Sequence, residues 1–223
     1  MKTKIVFQFI LSFFISAPLF AQEIKPWSSY LGNHNLNDKL NFHNELQVRN
    51  INSFEKMDQV FVRIGVGHNV SPNNNNVLLG YGTFFTNNHL IENARYNIEH
   101  RVFQQFITKQ RFGHLFLNHR YRYEQRFLPN EYKDRFRYFL AGYFSINKLE
   151  IIKGTYYLAA YNEIFLNTKG QYFDQNRLYL GAGYAITNNI KIEAAYLRQT
   201  FNSGYHNIFQ ITLFNNNAFK MHK

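Results

Sequence analysis

Polar and apolar side chains alternate with a period of two in the middle of the chain. Between positions 118 and 127 the even positions carry a charge or an amide, and the odd positions carry mostly aromatic rings. The even set is Asn118, Arg120, Arg122, Glu124 and Arg126, and the odd set is His119, Tyr121, Tyr123, Gln125 and Phe127. Because successive side chains of a strand point to opposite faces, this segment predicts a strand with one charged and one aromatic face.

The same alternation recurs along the chain, and no long helical pattern interrupts it. It is found in residues 27–36, 40–49, 60–67, 77–85, 94–105, 118–127, 135–140, 156–167, 177–186, 190–199 and 205–214. The pattern predicts an all-β fold, namely a single antiparallel transmembrane β-barrel with an apolar outer face and a charged interior. A soluble fold would need a second sheet to cover the apolar faces, and it is the alternative.

The expected strand number follows from the even count that single-chain bacterial barrels nearly always have. Residues 27–36 show the weakest alternation, so we expect this segment not to be a full spanning strand. This interpretation leaves about ten strands, within a range of roughly eight to twelve.

The predicted connections differ in length. Turn residues at 37–38, 147–148 and 187–189 indicate tight connections, whereas the stretches around Ser53, His89, Pro129 and Gly170 are longer. Outer-membrane barrels have short periplasmic turns and longer external loops. The alternation of short and long connections therefore favours an outer-membrane barrel over a sandwich.

The first residues of the chain have the pattern of a secretory signal. Lys2 and Lys4 precede an apolar stretch at residues 5–15, and Ala21 is a small residue before a cleavage site at Gln22. The apolar stretch is shorter than the about 20 residues that a spanning helix needs. We predict a signal peptide at residues 1–21, a barrel domain at residues 22–217 and a short tail at residues 218–223.

Composition narrows the expected partners. The chain has no cysteine, which excludes disulfides, thiolate metal sites and a lipid anchor through cysteine. Its net charge is +11 at pH 7, but the arginines occupy alternate strand positions and do not cluster on a helix or tail, so nucleic acid is not an expected partner. The expected partners are outer-membrane lipid, the barrel-assembly machinery and a small anionic or lipid-like ligand.

Charged residues accumulate on the predicted inner face. Arginine binds carboxylate through two parallel hydrogen bonds, so arginines and glutamates of neighbouring strands can tie the wall together. Two interpretations remain open: a salt-bridge network that plugs the lumen, or the lining of an anion path or ligand pocket. The predicted interior charge network consists of Glu99, Arg101, Arg120, Arg122, Glu124, Arg126, Arg135, Arg137, Glu163, Arg177 and Glu193.

The sequence offers little for catalysis or metal binding. A lipid-cleaving barrel needs a serine nucleophile, a histidine that accepts its proton and a group that orients the histidine. Ser203 lies three residues before His206, but it stands next to Gly204 in a predicted loop. The histidines show no repeated ligand spacing, so we predict no catalytic residue, no cofactor and no metal.

Four ordered motifs resemble those of a known family. They are RYRYEQRF at residues 120–127, RFRY at 135–138, YNEIF at 161–165 and DQNR at 174–177. In these motifs the chain is similar to the domain-of-unknown-function family 2490, and the similarity would cover about residues 27–216. The resemblance implies an exported bacterial protein that forms an outer-membrane barrel. It implies no activity, because none is assigned to that family.

The pattern and the resemblance together predict a non-enzymatic protein of the outer membrane of a Gram-negative bacterium. Its role would be structural, or that of a narrow pore or binding pocket with an Arg/Glu-lined interior. An outer-membrane lipid hydrolase or deacylase and a soluble periplasmic ligand-binding β-barrel are the alternative functions.

Overall fold

A computed structural model describes residues 24–52, 54–71, 74–87 and 96–218. The strands are β1 (Ile24–Asn35), β2 (Leu40–Asn50), β3 (Met57–Asn69), β4 (Asn75–Thr86), β5 (Asn97–Phe112), β6 (Leu115–Leu128), β7 (Glu131–Ser145), β8 (Tyr156–Asn167), β9 (Phe173–Ala185), β10 (Ile190–Phe201) and β11 (Gly204–Asn215). Within these ranges no helix is long and apolar enough to cross a membrane. The all-β prediction is confirmed, while the predicted signal peptide and nearly all of the predicted tail lie outside the described residues.

The eleven strands form one closed barrel in which each strand pairs with the next along the chain. Consecutive strands are antiparallel, and β1 closes the barrel by pairing in parallel with β11, from Ile24 opposite Asn207 to Gly32 opposite Asn215. With an odd number of up-and-down strands, the first and last strands necessarily run in the same direction. We call the end where β1 begins the proximal end, and the end where β1 and β11 finish the distal end.

The favoured count of ten strands is one too low, although eleven lies within the predicted range. The segment that we expected to fall short is β1, a full strand of 12 residues that pairs with both β2 and β11. Its alternation is weak because outward positions such as Ser28 and Gly32 carry little apolar surface. Backbone hydrogen bonds on both sides do not depend on the side chains, and they hold β1 in the wall.

The connections do not alternate between short and long as the sequence predicted. The connection after β6 is the two-residue turn of Pro129 and Asn130, whereas the connection after β7 runs from residue 146 to 155 and contains the supposed tight turn at 147–148. Proline suits the second position of a tight turn, so Pro129 marks a short connection. His89 and Ser53 lie outside the described residues. Loop length therefore does not distinguish the two ends of this barrel.

The two faces of the wall carry the two kinds of side chain that the alternation predicted. On the outside, each strand from β2 to β11 exposes at least two large apolar residues, such as Ile64 in β3 (48% exposed) and Leu180 in β9 (66%). On the inside lie buried charges, such as Arg122 (3%) and Glu124 (0%). The predicted apolar exterior and charged interior are both present in the described strands.

The inward face is chemically uneven around the barrel. Strands β2 to β7 carry most of its arginines, whereas β8 to β11 and β1 contribute an apolar cluster of Trp27, Tyr157, Ala159, Tyr179, Ala195, Leu197 and Ile208. Glycines on this side make room for rings of the neighbouring strand. A Cβ atom at Gly183 would lie 2.2 Å from Cζ of Tyr157. Side chains thus fill much of the lumen, as expected for a barrel of this size.

Candidate functional site in the lumen

The eleven residues of the predicted charge network lie on six consecutive strands. They are Glu99 and Arg101 on β5, Arg120, Arg122, Glu124 and Arg126 on β6, Arg135 and Arg137 on β7, Glu163 on β8, Arg177 on β9 and Glu193 on β10. The structure joins the first nine through salt bridges and leaves Arg177 and Glu193 outside them. We call the nine joined residues the central network.

Glu124 is the centre of this network. Its Oε2 accepts a hydrogen bond from Nε of Arg135 at 2.8 Å, and its Oε1 accepts one from Nη1 of Arg137 at 2.8 Å. Nη1 of Arg101 and Nη1 of Arg122 lie further away, at 3.7 and 3.8 Å from the carboxylate. Four guanidinium groups around one carboxylate offset the cost of removing that charge from water.

Glu163 connects the network across β7 and β8. Its Oε1 accepts hydrogen bonds from Nη2 of Arg137 at 2.6 Å and from Nη2 of Arg120 at 2.7 Å. Because Arg137 also donates to Glu124, its guanidinium group bridges the carboxylates of β6 and β8. Removing either carboxylate therefore leaves Arg137 with an unpaired buried donor.

Glu99 forms a paired arrangement of its own near the proximal end. Arg101 and Arg126 each donate twice to it, with Nε of both arginines 2.6 Å from Oε1 and with Nη2 at 3.0 and 3.2 Å from Oε2. Two parallel N–H···O bonds per pair are the geometry that makes arginine–carboxylate pairs strong and directional. Glu99 thus fixes β5 against β6.

Two residues outside the predicted set complete the network. Nη1 of Arg135 donates to Asp174 at 2.5 Å, and Nη2 of Arg122 donates to Oε1 of Gln105 at 2.5 Å. Gln105 lies on the inward face of β5 and could have been found from the strand pattern. Asp174 could not, because the register between β8 and β9 shifts at the end of the strands where it lies.

Aromatic rings lie beneath several guanidinium groups. The guanidinium carbons of Arg135, Arg137 and Arg177 are 4.9, 4.3 and 5.0 Å from the ring centroid of Phe165. A cation–π contact stabilises a desolvated guanidinium group without a carboxylate. The rings therefore allow the lumen to hold more arginine than its carboxylates could pair.

Arg177 and Glu193 lie on the apolar side of the lumen. Arg177 packs against the ring of Trp27 as well as Phe165, and Glu193 accepts a hydrogen bond from the hydroxyl group of Tyr179. Both side chains point inward, as their strand positions predicted. The alternation of polar positions could not show that their neighbours are rings.

Positive charge exceeds negative charge in the interior ion pairs. Seven arginines share five carboxylates, namely Arg63, Arg101, Arg120, Arg122, Arg126, Arg135 and Arg137 with Glu45, Glu99, Glu124, Glu163 and Asp174. An enclosed space with an excess of one sign of charge attracts ions of the other sign. The described part of the lumen is therefore suited to anions.

The lumen is filled in its middle and open at the distal end. A cavity of about 660 Å³ opens at that end, whereas about 130 Å³ remains among the side chains of the middle. We call the larger cavity the distal vestibule. Its lining includes the amides Asn41, Asn76 and Asn118 and the cations Lys109, Arg122 and Lys191.

Comparison with known proteins identifies a family and no relative of known function. A family model described as "Protein of unknown function (DUF2490)" matches residues 25–210. The chain belongs to this family. The resemblance seen in the four motifs is thereby confirmed, and the match includes every residue of the central network. No curated protein and no solved structure matches the chain.

The serine and histidine weighed for catalysis in this DUF2490 chain lie far from the vestibule. Ser203 belongs to the two-residue turn between β10 and β11 at the proximal end, and His206 lies in β11, with its ring edge-on to Phe201 at 5.4 Å between centroids. In the part of the chain that the structure describes, no group of three His, Cys, Asp or Glu side chains could hold a metal ion.

Proposed function

We propose that this protein is a non-enzymatic barrel of the Gram-negative outer membrane whose lumen is closed by the central network. The observation that carries the proposal is the opposite chemistry of the two wall faces. The outward face exposes large apolar side chains on every strand from β2 to β11, while the inward face buries ion pairs.

The outward face favours a membrane over water as its surroundings. Soluble monomers rarely expose contiguous apolar surface beyond a few hundred Å². A closed barrel satisfies its backbone hydrogen bonds within the wall, so hydrocarbon can cover that surface without leaving polar backbone groups unpaired. Outward aromatic pairs near both ends, Tyr156 with Tyr184 and Phe127 with Tyr132, fit the aromatic girdles of such barrels.

The middle of the lumen favours a closed state over an open pore. Glu124, Arg135 and Arg137 are each at most 5% exposed, and their hydrogen bonds run directly from one strand to the next. An ion passing through would have to separate these pairs, and breaking one buried pair costs about 3–5 kcal/mol. We therefore expect the wild-type barrel not to conduct.

A gel of the refolded protein and fractionation of cells test the membrane location. We expect the protein to fractionate with outer membranes and to migrate differently before and after boiling, because an intact barrel is more compact than the unfolded chain. Solubility without detergent would contradict the proposal and would support the periplasmic ligand-binding alternative.

Planar-bilayer conductance tests the closed lumen. In Glu163→Ala, Arg120 and Arg137 lose a shared acceptor, so we expect current where the wild type shows none. Glu150→Ala is the matched control, because Glu150 pairs with the exposed Arg111 at the distal rim. A wild type that already conducts anions, and loses selectivity in Glu163→Ala, would contradict the closed lumen. Glu163→Gln, which keeps the side-chain shape, replaces Glu163→Ala if the alanine variant does not fold.

A further inference from the structure

We propose that the distal vestibule binds an anionic sugar, meaning a small hydroxyl-rich molecule that carries a phosphate or carboxylate group. The proposal goes beyond the closed barrel, because it concerns the cavity next to the central network and does not depend on the membrane location. It follows from three features of one chamber: two lysines that form no salt bridge among the described residues, buried polar atoms without hydrogen bonds, and a wall of amides.

The vestibule has cations on opposite walls. Lys109 comes from β5 and Lys191 from β10, which lie on opposite sides of the eleven-stranded barrel. Among the described residues neither ammonium group forms a salt bridge, and Nζ of Lys191 lies 5.4 Å from the ring centroid of Phe214. The carboxylate of the lining, Glu150, is already bonded to Arg111 at 2.9 Å. Glu193 interacts electrostatically with Lys191 but does not line the vestibule, so the carboxylate that an anion would meet in the cavity is the paired Glu150.

Buried polar atoms at the base of the vestibule have no hydrogen-bond partner among the described residues. They are Nη1 of Arg122, Nε of Arg120 and Oδ1 of Asn118. Arg122 is only 3% exposed, and the carboxylate of Glu124 lies 3.8 Å from its Nη1, which is beyond hydrogen-bond distance. Two unpartnered donors and one unpartnered acceptor in the same cavity match a ligand that carries both negative charge and hydroxyl groups.

Asparagines form the wall on the side of β1 to β4. Nδ2 of Asn41 donates to Oδ1 of Asn33 at 2.6 Å, and Nδ2 of Asn76 donates to Oδ1 of Asn41 at 2.7 Å. An amide both donates and accepts hydrogen bonds, as a hydroxyl group does. The rings of Phe139 and Tyr143 also line the cavity and offer contact for the apolar side of a sugar ring.

The size and polarity of the vestibule decide between the two ligand classes that the sequence left open. Its volume of about 660 Å³ lies within the range of roughly 300–1,000 Å³ that small-molecule sites have. Apolar side chains such as Leu78 and Phe214 make up about half of the lining, and amides, cations and donors without hydrogen bonds make up the rest. A lipid-like ligand would leave these polar groups unpaired. The lining therefore favours the hydrophilic anion.

Isothermal titration of the refolded barrel in detergent tests the ligand class. The probes are glucose 6-phosphate, glucuronate, glucose and inorganic phosphate. We expect one of the two anionic sugars to bind at least about tenfold more tightly than glucose and than inorganic phosphate, and to weaken with added salt. If glucose 6-phosphate binds more tightly than glucuronate, the charged group of the ligand is a phosphate; in the opposite case it is a carboxylate. Inorganic phosphate binding as tightly as glucose 6-phosphate would overturn the sugar part of the proposal.

Single variants test the location of the site. Lys109→Gln and Lys191→Gln should each weaken binding about tenfold, because each removes one charged contact. Lys133→Gln is the matched control, since Lys133 pairs with Glu131 at 2.9 Å at the proximal end. Absence of binding to either sugar, or equal weakening by the control, would overturn the proposal. The gel mobility of each unboiled variant distinguishes loss of the binding site from failure of the barrel to fold.

Discussion

The central network and the distal vestibule share strands β5, β6 and β7, yet they use their inward positions in opposite ways. In the network, Arg137 donates to Glu124 at 2.8 Å and to Glu163 at 2.6 Å, and little space remains. In the vestibule, Lys109 and Lys191 face an open cavity. The difference shows that alternation provides an inner face, while the pairing of charges on that face decides whether the lumen is filled or open.

The largest expected difference between the two regions is in the cost of removing a polar group. Glu124→Gln should lower the free energy of unfolding by about 3–5 kcal/mol, because the guanidinium groups around it lose their shared negative charge. Asn118→Ala in the vestibule should cost less than about 1 kcal/mol, since Oδ1 of Asn118 has no hydrogen bond to lose. Urea unfolding followed by the fluorescence of Trp27, the single tryptophan, measures both.

These two variants test whether the central network stabilises the barrel more than the vestibule does. Equal losses of stability in Glu124→Gln and Asn118→Ala would mean that the network adds no more than the vestibule to the stability of the barrel.

The cost of adding a methyl group should also differ between the filled part of the lumen and the vestibule. A Cβ atom at Gly80 would lie 2.2 Å from Cζ of the buried Phe103, so Gly80→Ala should cost about 1–3 kcal/mol. A Cβ atom at Gly67 would lie 2.3 Å from Oδ1 of Asn41, so this side chain would have to turn away and lose its hydrogen bond from Asn76. Gly67→Ala should therefore cost about one hydrogen bond, roughly 0.5–1.5 kcal/mol, and less than Gly80→Ala. Thermal or urea unfolding that ranks the two variants the other way round would contradict this account.

Solvent should reach the vestibule but not the middle of the lumen. Single cysteine variants can test this without a large change in stability. The chain has no cysteine, so single cysteines can be introduced without background labelling. A water-soluble thiol reagent should label Asn118→Cys in the vestibule, and it should not label the folded Ala195→Cys, because Ala195 is 4% exposed on the inward face. The rate of labelling, with the denatured protein as reference, checks this prediction. Rapid labelling of both would show that the middle of the lumen admits solvent.

Single cysteines in the turns should have the smallest effect on the barrel. They test which compartment the vestibule faces. Lys39 lies in the distal turn between β1 and β2, and Asn202 lies in the proximal turn between β10 and β11. In intact cells an impermeant reagent should label only one of Lys39→Cys and Asn202→Cys, because the two turns lie at opposite ends of a spanning barrel. Labelling of both from outside the cell would contradict the proposed topology.

The sequence predicts the direction of some side chains in the lumen, but it does not predict all of its charged residues or the length of every strand. The inward direction of Arg122, Glu124 and Glu163 follows from strand parity alone. The contribution of Asp174 could not be predicted, because a register shift between β8 and β9 changes the parity there. The full length of β1 was missed, because an outward face with Ser28 and Gly32 gives no apolar pattern to recognise.

The sequence by itself determined which side chains share a face, because the period of two is a local property of an extended chain. Only the tertiary structure decided that eleven strands close through a parallel contact between β1 and β11, and which arginine meets which carboxylate. Closure and register depend on how distant strands align. Whether an inward charge is paired depends on neighbours that lie far away in the chain, so the filled middle and the open vestibule emerge only when the barrel closes.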